Sequence, residues 1–166
     1  MICPRTRLLL AAAAAFAMSG TAAIPRASPP AWLVNESPSL PRGVYLRTRA
    51  APTPGAIVAV DPPPSARPYL AGLGAPGDAR LLKRIAVGPG EVACREGLRL
   101  TWARGQVVAR AHDRRGTALP AWGGCRRLGA DEFVVLGDTP ASFDSRYFGP
   151  IGRAAIQGVY REAWRW

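Results

Sequence analysis

The sequence has few of the residues on which enzymes usually rely for acid–base and metal chemistry. Its 166 residues include a single histidine, His112, and three cysteines. A Ser-His-Asp triad needs a histidine beside the nucleophile, and His112 lies in a polar stretch typical of an exposed loop. No Walker loop, HExxH or CxxC pattern occurs. A nucleophile in this chain would therefore need a base other than histidine, and we expect no metal and no organic cofactor.

Helical periodicity is weak after the first 27 residues, whereas turn-forming residues are frequent. The 17 prolines and 18 glycines favour short strands joined by turns over a helical bundle. Apolar and polar alternation predicts strands at 43–49, 56–60, 81–87, 91–94, 98–102, 106–109, 132–136 and 156–164. Residues 27–40 are expected to be an extended lead-in and 68–80 irregular. We therefore predict a mainly β fold, a compact curved barrel or sandwich.

The first 27 residues have the pattern of an export signal. Arg5 and Arg7 precede an alanine-rich apolar run, small residues follow, and Pro25 would end a helix. The apolar stretch 8–24 is roughly 17 residues long, the lower limit for crossing a bilayer. We expect residues 1–27 to be a signal peptide or a membrane anchor and 28–166 to be the folded domain. The positive flank predicts that the amino terminus faces the cytoplasm and the domain lies outside it.

The three cysteines fit export to an oxidising compartment. Cys3 lies before the apolar run, which leaves Cys94 and Cys125 as an even pair in the domain. A disulfide between them would close a loop of about 30 residues and contribute roughly 3–4 kcal/mol in the chain-entropy account. A metal site is the competing interpretation, but supporting ligands are missing. We therefore predict the disulfide.

The net charge of +11 is carried almost entirely by arginine. The basic residues are spread singly, without a dense tract, so we expect a positive face near an anionic bilayer and not a nucleic-acid site. Among the 22 basic residues, Lys83 is the only lysine. Arginine cannot lose its proton near neutral pH, so a single retained lysine indicates a need for a deprotonable amine. Codon bias with one surviving lysine explains the same count.

Ser39 is the candidate nucleophile. Pro38 and Pro41 stiffen the chain around it, and Gly43 allows close approach of another segment. A rigid serine at a strand edge suits attack on a peptide bond, although a serine in a plain turn has the same local sequence.

Lys83 is the candidate base. Strand alternation places it on the face of Leu81, Ile85 and Val87, which should be buried. Burial disfavours the charged amine, and lowering its pKa from about 10.4 to near 7 corresponds to roughly 4–5 kcal/mol. A neutral amine beside a serine could take the hydroxyl proton. Alternatively, the lysine could extend its amine to solvent past its apolar stem.

Three segments resemble, in order, the signature boxes of type I signal peptidases. They are Ser39-Leu40-Pro41, Lys83-Arg84-Ile85 followed by Gly88-Pro89-Gly90, and the stretch from Gly137-Asp138 to Ser142-Phe143-Asp144-Ser145-Arg146-Tyr147-Phe148-Gly149. The short form, with Pro-Arg-Gly-Val-Tyr after the serine, is most similar to the TraF-type conjugative-transfer peptidases. The match covers nearly the whole chain from Asn35 onward, and three boxes in this order are highly specific.

The resemblance implies a role for each matched residue. Ser39 would be the nucleophile and Lys83 the general base, with the Ser142 hydroxyl orienting the lysine amine. The Ser39 backbone N–H would form part of an oxyanion hole, with the Ser37 hydroxyl as second donor. The fold implied is the curved β architecture of signal peptidases.

Three charged residues of the last box have supporting roles in this resemblance. Asp144 and Arg146 match a structural acid–base pair, which their residue types alone also favour. In the TraF-type branch an aspartate of this loop has a closer catalytic role, so either Asp138 or Asp144 is a candidate for it.

The function implied is that of a serine endopeptidase that processes exported proteins at the periplasmic side of the bacterial inner membrane, or in the periplasm if the leader is cleaved. The single candidate anchor and the short interval between Lys83 and Gly137 favour the compact branch, which matures a pilin subunit for conjugation or type IV secretion. Some relatives there cyclise the pilin, which needs only an amine in place of water. General signal peptidase activity is one alternative, and a catalytically inactive membrane-anchored binding module is another.

Overall fold

The computed structural model describes residues 28–166, which fold into antiparallel strands with very little helix. The strands are β1 (Trp32–Asn35), β2 (Gly43–Thr48), β3 (Ile57–Val60), β4 (Leu81–Val87), β5 (Val92–Glu96), β6 (Arg99–Trp102), β7 (Gly105–Val108), β8 (Gly124–Arg127), β9 (Glu132–Leu136), β10 (Ile151–Gly152) and β11 (Ile156–Arg165). The helices are α1 (Arg67–Gly72) and α2 (Ser145–Phe148), and Arg153–Ala155 form one 3₁₀ turn. The prediction of a mainly β fold is therefore confirmed.

The strands form two sheets. A seven-stranded sheet has the order β1-β2-β11-β3-β4-β9-β10, and a four-stranded sheet has the order β7-β6-β5-β8. The register shifts in β4 and twice in β11, and such irregularities bend a sheet and increase its twist. The larger sheet brings together strands from the beginning, middle and end of the described chain.

The core lies on both faces of the seven-stranded sheet. All four residues of β3 are buried, with Val58 and Val60 packed on one face and Ile57 and Ala59 on the other. A third cluster, which includes Val87, Leu100 and Val134, fills the space between the two sheets. Burial on both faces explains why β3 is a continuous apolar run in the sequence.

Several elements differ from the expectations. The predicted lead-in contains β1, and the predicted irregular stretch 68–80 begins within α1. Three further elements, β8, β10 and α2, were not predicted either. All of β8 is exposed, so it lacks the alternation of a half-buried strand, and α2 is only four residues long. Hydrogen bonding to neighbours, not local pattern, determines these elements.

The predicted leader (1–27) and Cys3 lie outside the described residues. Within 28–166, no helix combines the length and apolar character that a membrane crossing requires.

Candidate active site

The loop that carries Ser39 is held by a buried asparagine at the end of β1. The Asn35 side-chain amide donates hydrogen bonds to the carbonyls of Ser37, Leu40 and Pro41, each at 3.0 Å. Its oxygen accepts from the Ser37 N–H at 3.2 Å. One buried side chain therefore satisfies the backbone of a loop that has two prolines and few partners of its own. Sequence reasoning did not assign a role to Asn35, because its acceptors become its neighbours only when the loop turns back.

Ser39 lies at the tip of this loop and is itself buried, with 7% of its surface exposed. Leu40 packs against Ile57 and Ala59, and the Tyr45 hydroxyl donates to the Pro41 carbonyl at 2.7 Å. The Ser39 N–H donates to the Ser37 hydroxyl oxygen at 3.1 Å. The two predicted oxyanion donors are therefore adjacent and joined to each other.

Lys83 occupies the middle of β4, paired with Val58 of β3, and is 3% exposed. The expectation that it lies on the buried face of β4 is confirmed. Burial lowers the pKa of Lys83 from 10.5 to about 8, against the opposing effect of the Asp144 carboxylate. At pH 7 roughly a tenth of the molecules would then have a neutral amine, and at pH 8 about half.

A cavity of about 120 Å³ joins the nucleophile loop to β4. Its walls include Asn35 and Ser37 on one side and Leu81, Leu82 and Lys83 on the other. Strand β9 pairs with β4 only from Arg84 onward, so the backbone of the three preceding residues has no strand neighbour on that side. An extended peptide could pair there and place a side chain in the cavity.

The third sequence segment reaches Ser39 through Ser142. The Ser142 hydroxyl donates to the Ser39 hydroxyl oxygen at 3.3 Å, and both residues are buried. The Asp138 N–H donates to the Ser39 carbonyl at 2.6 Å. The hydrogen bond between the Ser39 and Ser142 hydroxyls therefore joins two segments that are 103 residues apart in sequence.

Gly137 makes this approach possible. A Cβ at this position would lie 2.2 Å from the Ser142 Oγ and 2.9 Å from the Ser39 carbonyl oxygen. Any side chain there would separate the two serines. The sequence analysis included Gly137 in the matched stretch but gave it no role, since a glycine after a strand is usually only a turn signal.

Asp144 and Arg146 form a buried ion pair behind the site, with Nε–Oδ1 at 2.8 Å and exposures of 2% or less. The Asp144 carboxylate also accepts from the N–H groups of Gly137 and Arg146. The Arg146 guanidinium donates in turn to the carbonyls of Gly137, Thr139 and Pro140. The expected pair is present, and its hydrogen bonds fix the loop that carries Ser142.

The Asp138 side chain does not belong to this buried network. Its carboxylate is exposed and accepts two hydrogen bonds from Arg84, at 3.1 and 3.0 Å. Arg84 follows Lys83 in β4 and therefore points to the opposite face. Of the two candidate aspartates, Asp144 lies in the buried network and Asp138 holds its loop to β4 from outside.

The predicted disulfide is present. Cys94 of β5 and Cys125 of β8 are directly paired in the four-stranded sheet and bonded through their sulfurs. They belong to a different sheet from Ser39 and Lys83. Among residues 28–166 no group of three or more His, Cys, Asp or Glu side chains could hold a metal.

Comparison with known proteins identifies the family. The family profile described as "Signal peptidase, peptidase S26" matches residues 5–166. The chain belongs to this family. Members of this family are serine peptidases. This protein is therefore a hydrolase that acts on exported proteins.

The most informative relatives of this S26 peptidase are two plasmid transfer proteins TraF from Escherichia coli. One is 33% identical over 147 residues, which are 80% of this chain and 82% of the relative. The other is 31% identical over 146 residues, with the same shares. A solved signal peptidase I from Enterococcus faecalis V583 has a TM-score of 0.40 and 22% identity, over 68% of this chain and 98% of that one.

Proposed function

We propose that this peptidase uses Ser39 as nucleophile and Lys83 as general base to mature a small exported pilin subunit. The observation that carries the proposal is a buried lysine with a pKa of about 8 on the wall of a cavity it shares with the nucleophile loop. A lysine with an ordinary pKa would be almost fully charged at neutral pH and unable to accept a proton.

Each step of the reaction has a group suited to it. The neutral Lys83 amine takes the proton of the Ser39 hydroxyl as the Ser39 oxygen bonds to the substrate carbonyl carbon. Ser142, 3.3 Å from the Ser39 Oγ, restricts that hydroxyl to one orientation. The carbonyl oxygen becomes an oxyanion, which the Ser39 N–H and the Ser37 O–H would stabilise. Lys83 then gives its proton to the departing amine, and the acyl group stays on Ser39.

The oxyanion hole must be completed when substrate binds. In the free protein the Ser39 N–H donates to the Ser37 oxygen at 3.1 Å. An incoming carbonyl oxygen would accept from that N–H and from the Ser37 hydroxyl in place of their mutual bond. This exchange costs little, because one hydrogen bond is replaced by two to a developing charge.

We expect small residues before the cleaved bond, as in the signal peptidases that this chain resembles. The cavity of about 120 Å³ between Ser37 and Lys83 would receive the side chain that precedes that bond. The choice of a pilin as substrate is supported by the TraF relatives, which are named as plasmid transfer proteins and match over most of their length.

We also place the protein at the periplasmic side of the inner membrane, with residues 1–27 as leader or anchor. Trp32, Trp164 and Trp166 are each more than half exposed. Trp32 lies opposite Leu46, and Trp164 lies opposite Val44. The end of the larger sheet formed by β1, β2 and β11 therefore has an apolar face, close in sequence to residue 28, where the described chain begins. Tryptophan is favoured at membrane interfaces. A blue shift of tryptophan emission with anionic lipid vesicles supports this placement, and an unchanged spectrum would contradict it.

The catalytic proposal is tested by co-expressing the chain with the small pilin candidate encoded beside it and measuring the pilin's intact mass. Wild type should trim the pilin, whereas Ser39→Ala and Lys83→Arg should leave it whole. Ser65→Ala and Arg84→Lys are matched controls, since Ser65 is an exposed loop serine and Arg84 lies next to Lys83 on the opposite face. A product one water lighter than the linear peptide means cyclisation, and the linear mass means hydrolysis.

Other outcomes favour the alternatives. Trimming that persists in both Ser39→Ala and Lys83→Arg would remove the Ser/Lys assignment. Broad cleavage of unrelated preproteins with small residues before the bond would favour general signal peptidase activity. Binding of the pilin with no cleavage at all would favour a binding module.

A further inference from the structure

A second cavity, of about 340 Å³, opens next to the nucleophile loop. It shares no lining residue with the cavity between Ser37 and Lys83. Its wall includes Pro38, which precedes Ser39, and Ala141, which precedes Ser142. The cavity therefore begins one residue away from each of the two hydrogen-bonded serines.

The floor of this cavity is aromatic. The Phe143 ring lies between Tyr69 and Tyr147, with ring centroids 4.6 and 5.4 Å apart. The Tyr147 hydroxyl accepts from the backbone N–H of Arg110 at 3.2 Å, and the Tyr69 hydroxyl donates to the Asp113 carboxylate at 3.1 Å. These bonds attach the loop between β7 and β8 to the aromatic floor, which makes the cavity a built feature of the fold.

The rim is strongly basic. Arg110, Arg114 and Arg115 line the cavity, and none of them forms an ion pair with another described residue. Asp113 is the only acid in the same wall. Its carboxylate accepts from Tyr69 and from the N–H groups of Arg115 and Thr117, so it supports the loop. Three arginines against one aspartate leave the wall with a formal charge of +2.

We propose that this cavity binds a carboxylate of the substrate segment that follows the cleaved bond. The proposal rests on the function above, in which residues before the bond use the cavity beside Lys83. In this proposal a peptide whose carbonyl lies at Ser39 continues past Pro38 and Ala141 into this cavity, where three guanidiniums that form no ion pair with another described residue suit a carboxylate. The carboxylate comes either from an Asp or Glu side chain or from the free carboxyl terminus of a short departing peptide.

The test uses full-length Ser39→Ala protein, so that binding is measured without turnover. The probes are fluorescent peptides with alanine before the bond. After the bond they have either Glu or Gln within the first four positions, and their carboxyl terminus is either free or amidated. The peptide with the recognised carboxylate should bind about tenfold more tightly than its neutral counterpart at low salt. At high salt this difference in affinity should be smaller. The Glu and Gln peptides compare the side chain, and the acid and amide peptides compare the terminus.

Variants of the rim locate the effect. Arg114→Gln with Arg115→Gln should reduce the tenfold preference to less than about twofold. Arg153→Gln with Arg161→Gln is the matched control, since both arginines are exposed and line none of the cavities described here. Arg114→Glu with Arg115→Glu should instead favour a peptide with Lys after the bond. Thermal unfolding of each variant shows that it is folded before its binding is compared.

The carboxylate site and the peptidase assignment can be contradicted independently of each other. Equal binding of the acidic and neutral peptides, or a preference unchanged in the Arg114 and Arg115 variants, overturns the carboxylate site even if the wild type cleaves both peptides. Preferred binding of the acidic peptide without cleavage by wild type leaves the site in place and overturns the peptidase assignment.

Discussion

The seven-stranded sheet draws its strands from both ends of the described chain, whereas the four-stranded sheet is built from residues 92–127 alone. In the larger sheet all of β3 and four of the five residues of β9 are buried. In the smaller sheet all of β8 is exposed, as are Val92 and Val108. The larger sheet can therefore hold a desolvated lysine within an apolar core, whereas the smaller and more exposed sheet carries the disulfide.

The two sheets also contribute differently to the site. Ser39, Lys83 and Ser142 lie in or next to the larger sheet, while the loop between β7 and β8 of the smaller sheet carries the three arginines of the second cavity. Buried Arg95 of β5 connects them, since its guanidinium donates to the Arg146 carbonyl at 3.0 Å. The proposed catalytic residues and the ion pair that supports them therefore lie in or next to the larger sheet, and the smaller sheet adds a surface beside them.

The largest expected effect comes from removing the charge that the larger sheet buries. Lys83→Met should lower peptide cleavage by at least about 10³-fold, because the proposed general base is lost. The same variant should be more stable than wild type at pH 7, by up to roughly 3 kcal/mol, since the wild-type lysine has a pKa of about 8 when folded and 10.5 when unfolded. Urea unfolding with a parallel cleavage assay measures both quantities.

The pH series identifies the cause of that gain. Between pH 8 and 10.5 the unfolded wild type holds more protons than the folded form, so its stability should rise with pH and the advantage of Lys83→Met should shrink. Cleavage by wild type should rise tenfold per pH unit below 8 and level off above it. A stability gain that is the same at pH 7 and pH 10 would mean that packing, and not charge burial, explains it.

Gly137→Ala should damage the site next most strongly. The added Cβ would lie 2.2 Å from the Ser142 Oγ, so the two serines must separate. We expect about 100-fold lower cleavage and a loss of roughly 1–3 kcal/mol in the free energy of unfolding. Gly77→Ala is the control, because nothing lies within 4 Å of its Cβ position. Equal activity of the two variants would show that Ser142 need not contact Ser39.

Replacing both Cys94 and Cys125 by alanine tests the smaller sheet. Their loop spans 31 residues, and its loss should cost roughly 3–4 kcal/mol in the free energy of unfolding. Because the bond lies in the other sheet, cleavage of a peptide with neutral residues after the bond should change less than about twofold. Unfolding and cleavage are measured under conditions in which the variant is fully folded. A large loss of cleavage with little loss of stability would show that the sheets are coupled.

The smallest effect is expected for Asp138→Asn. Its pair with Arg84 is about 40% exposed on each side and should contribute less than about 1 kcal/mol. Asp144→Asn provides the contrast, since it leaves buried Arg146 without its partner and should cost about 3–5 kcal/mol. If Asp138→Asn lowers cleavage more than tenfold without loss of stability, Asp138 has a catalytic role that its position here does not explain.

The sequence predicted those parts of the fold that bury an apolar pattern. β4 and β9 begin and end at the predicted residues, because the alternation of β4 and the apolar run of β9 are each bounded by turn signals. β8, with the exposed sequence Gly-Cys-Arg-Arg, carries no such pattern and was missed. α1 contains a proline and ends at Gly72, which locally favours an irregular stretch.

The candidate active site also contains some features that the sequence predicted and others that it did not. The buried face of Lys83 follows from alternation. The family resemblance implied that Ser142 orients the Lys83 amine, whereas in the structure the Ser142 hydroxyl donates to the Ser39 hydroxyl. The roles of Asn35 and Gly137 were not predicted, because each depends on backbone groups that come near only in the folded chain. Arg84 and Asp138 are paired across 54 residues, and no local rule relates them.

The lone lysine has a practical consequence for spectroscopy. Protein grown with ¹³C-labelled lysine would give the side-chain resonances of one residue, Lys83, in an otherwise silent spectrum. Its Cε chemical shift, followed from pH 6 to pH 11, would report directly on the amine in the unmodified enzyme. A midpoint near 8 would show a proton acceptor ready at physiological pH, and a midpoint near 10.5 would show an ordinary solvated ammonium.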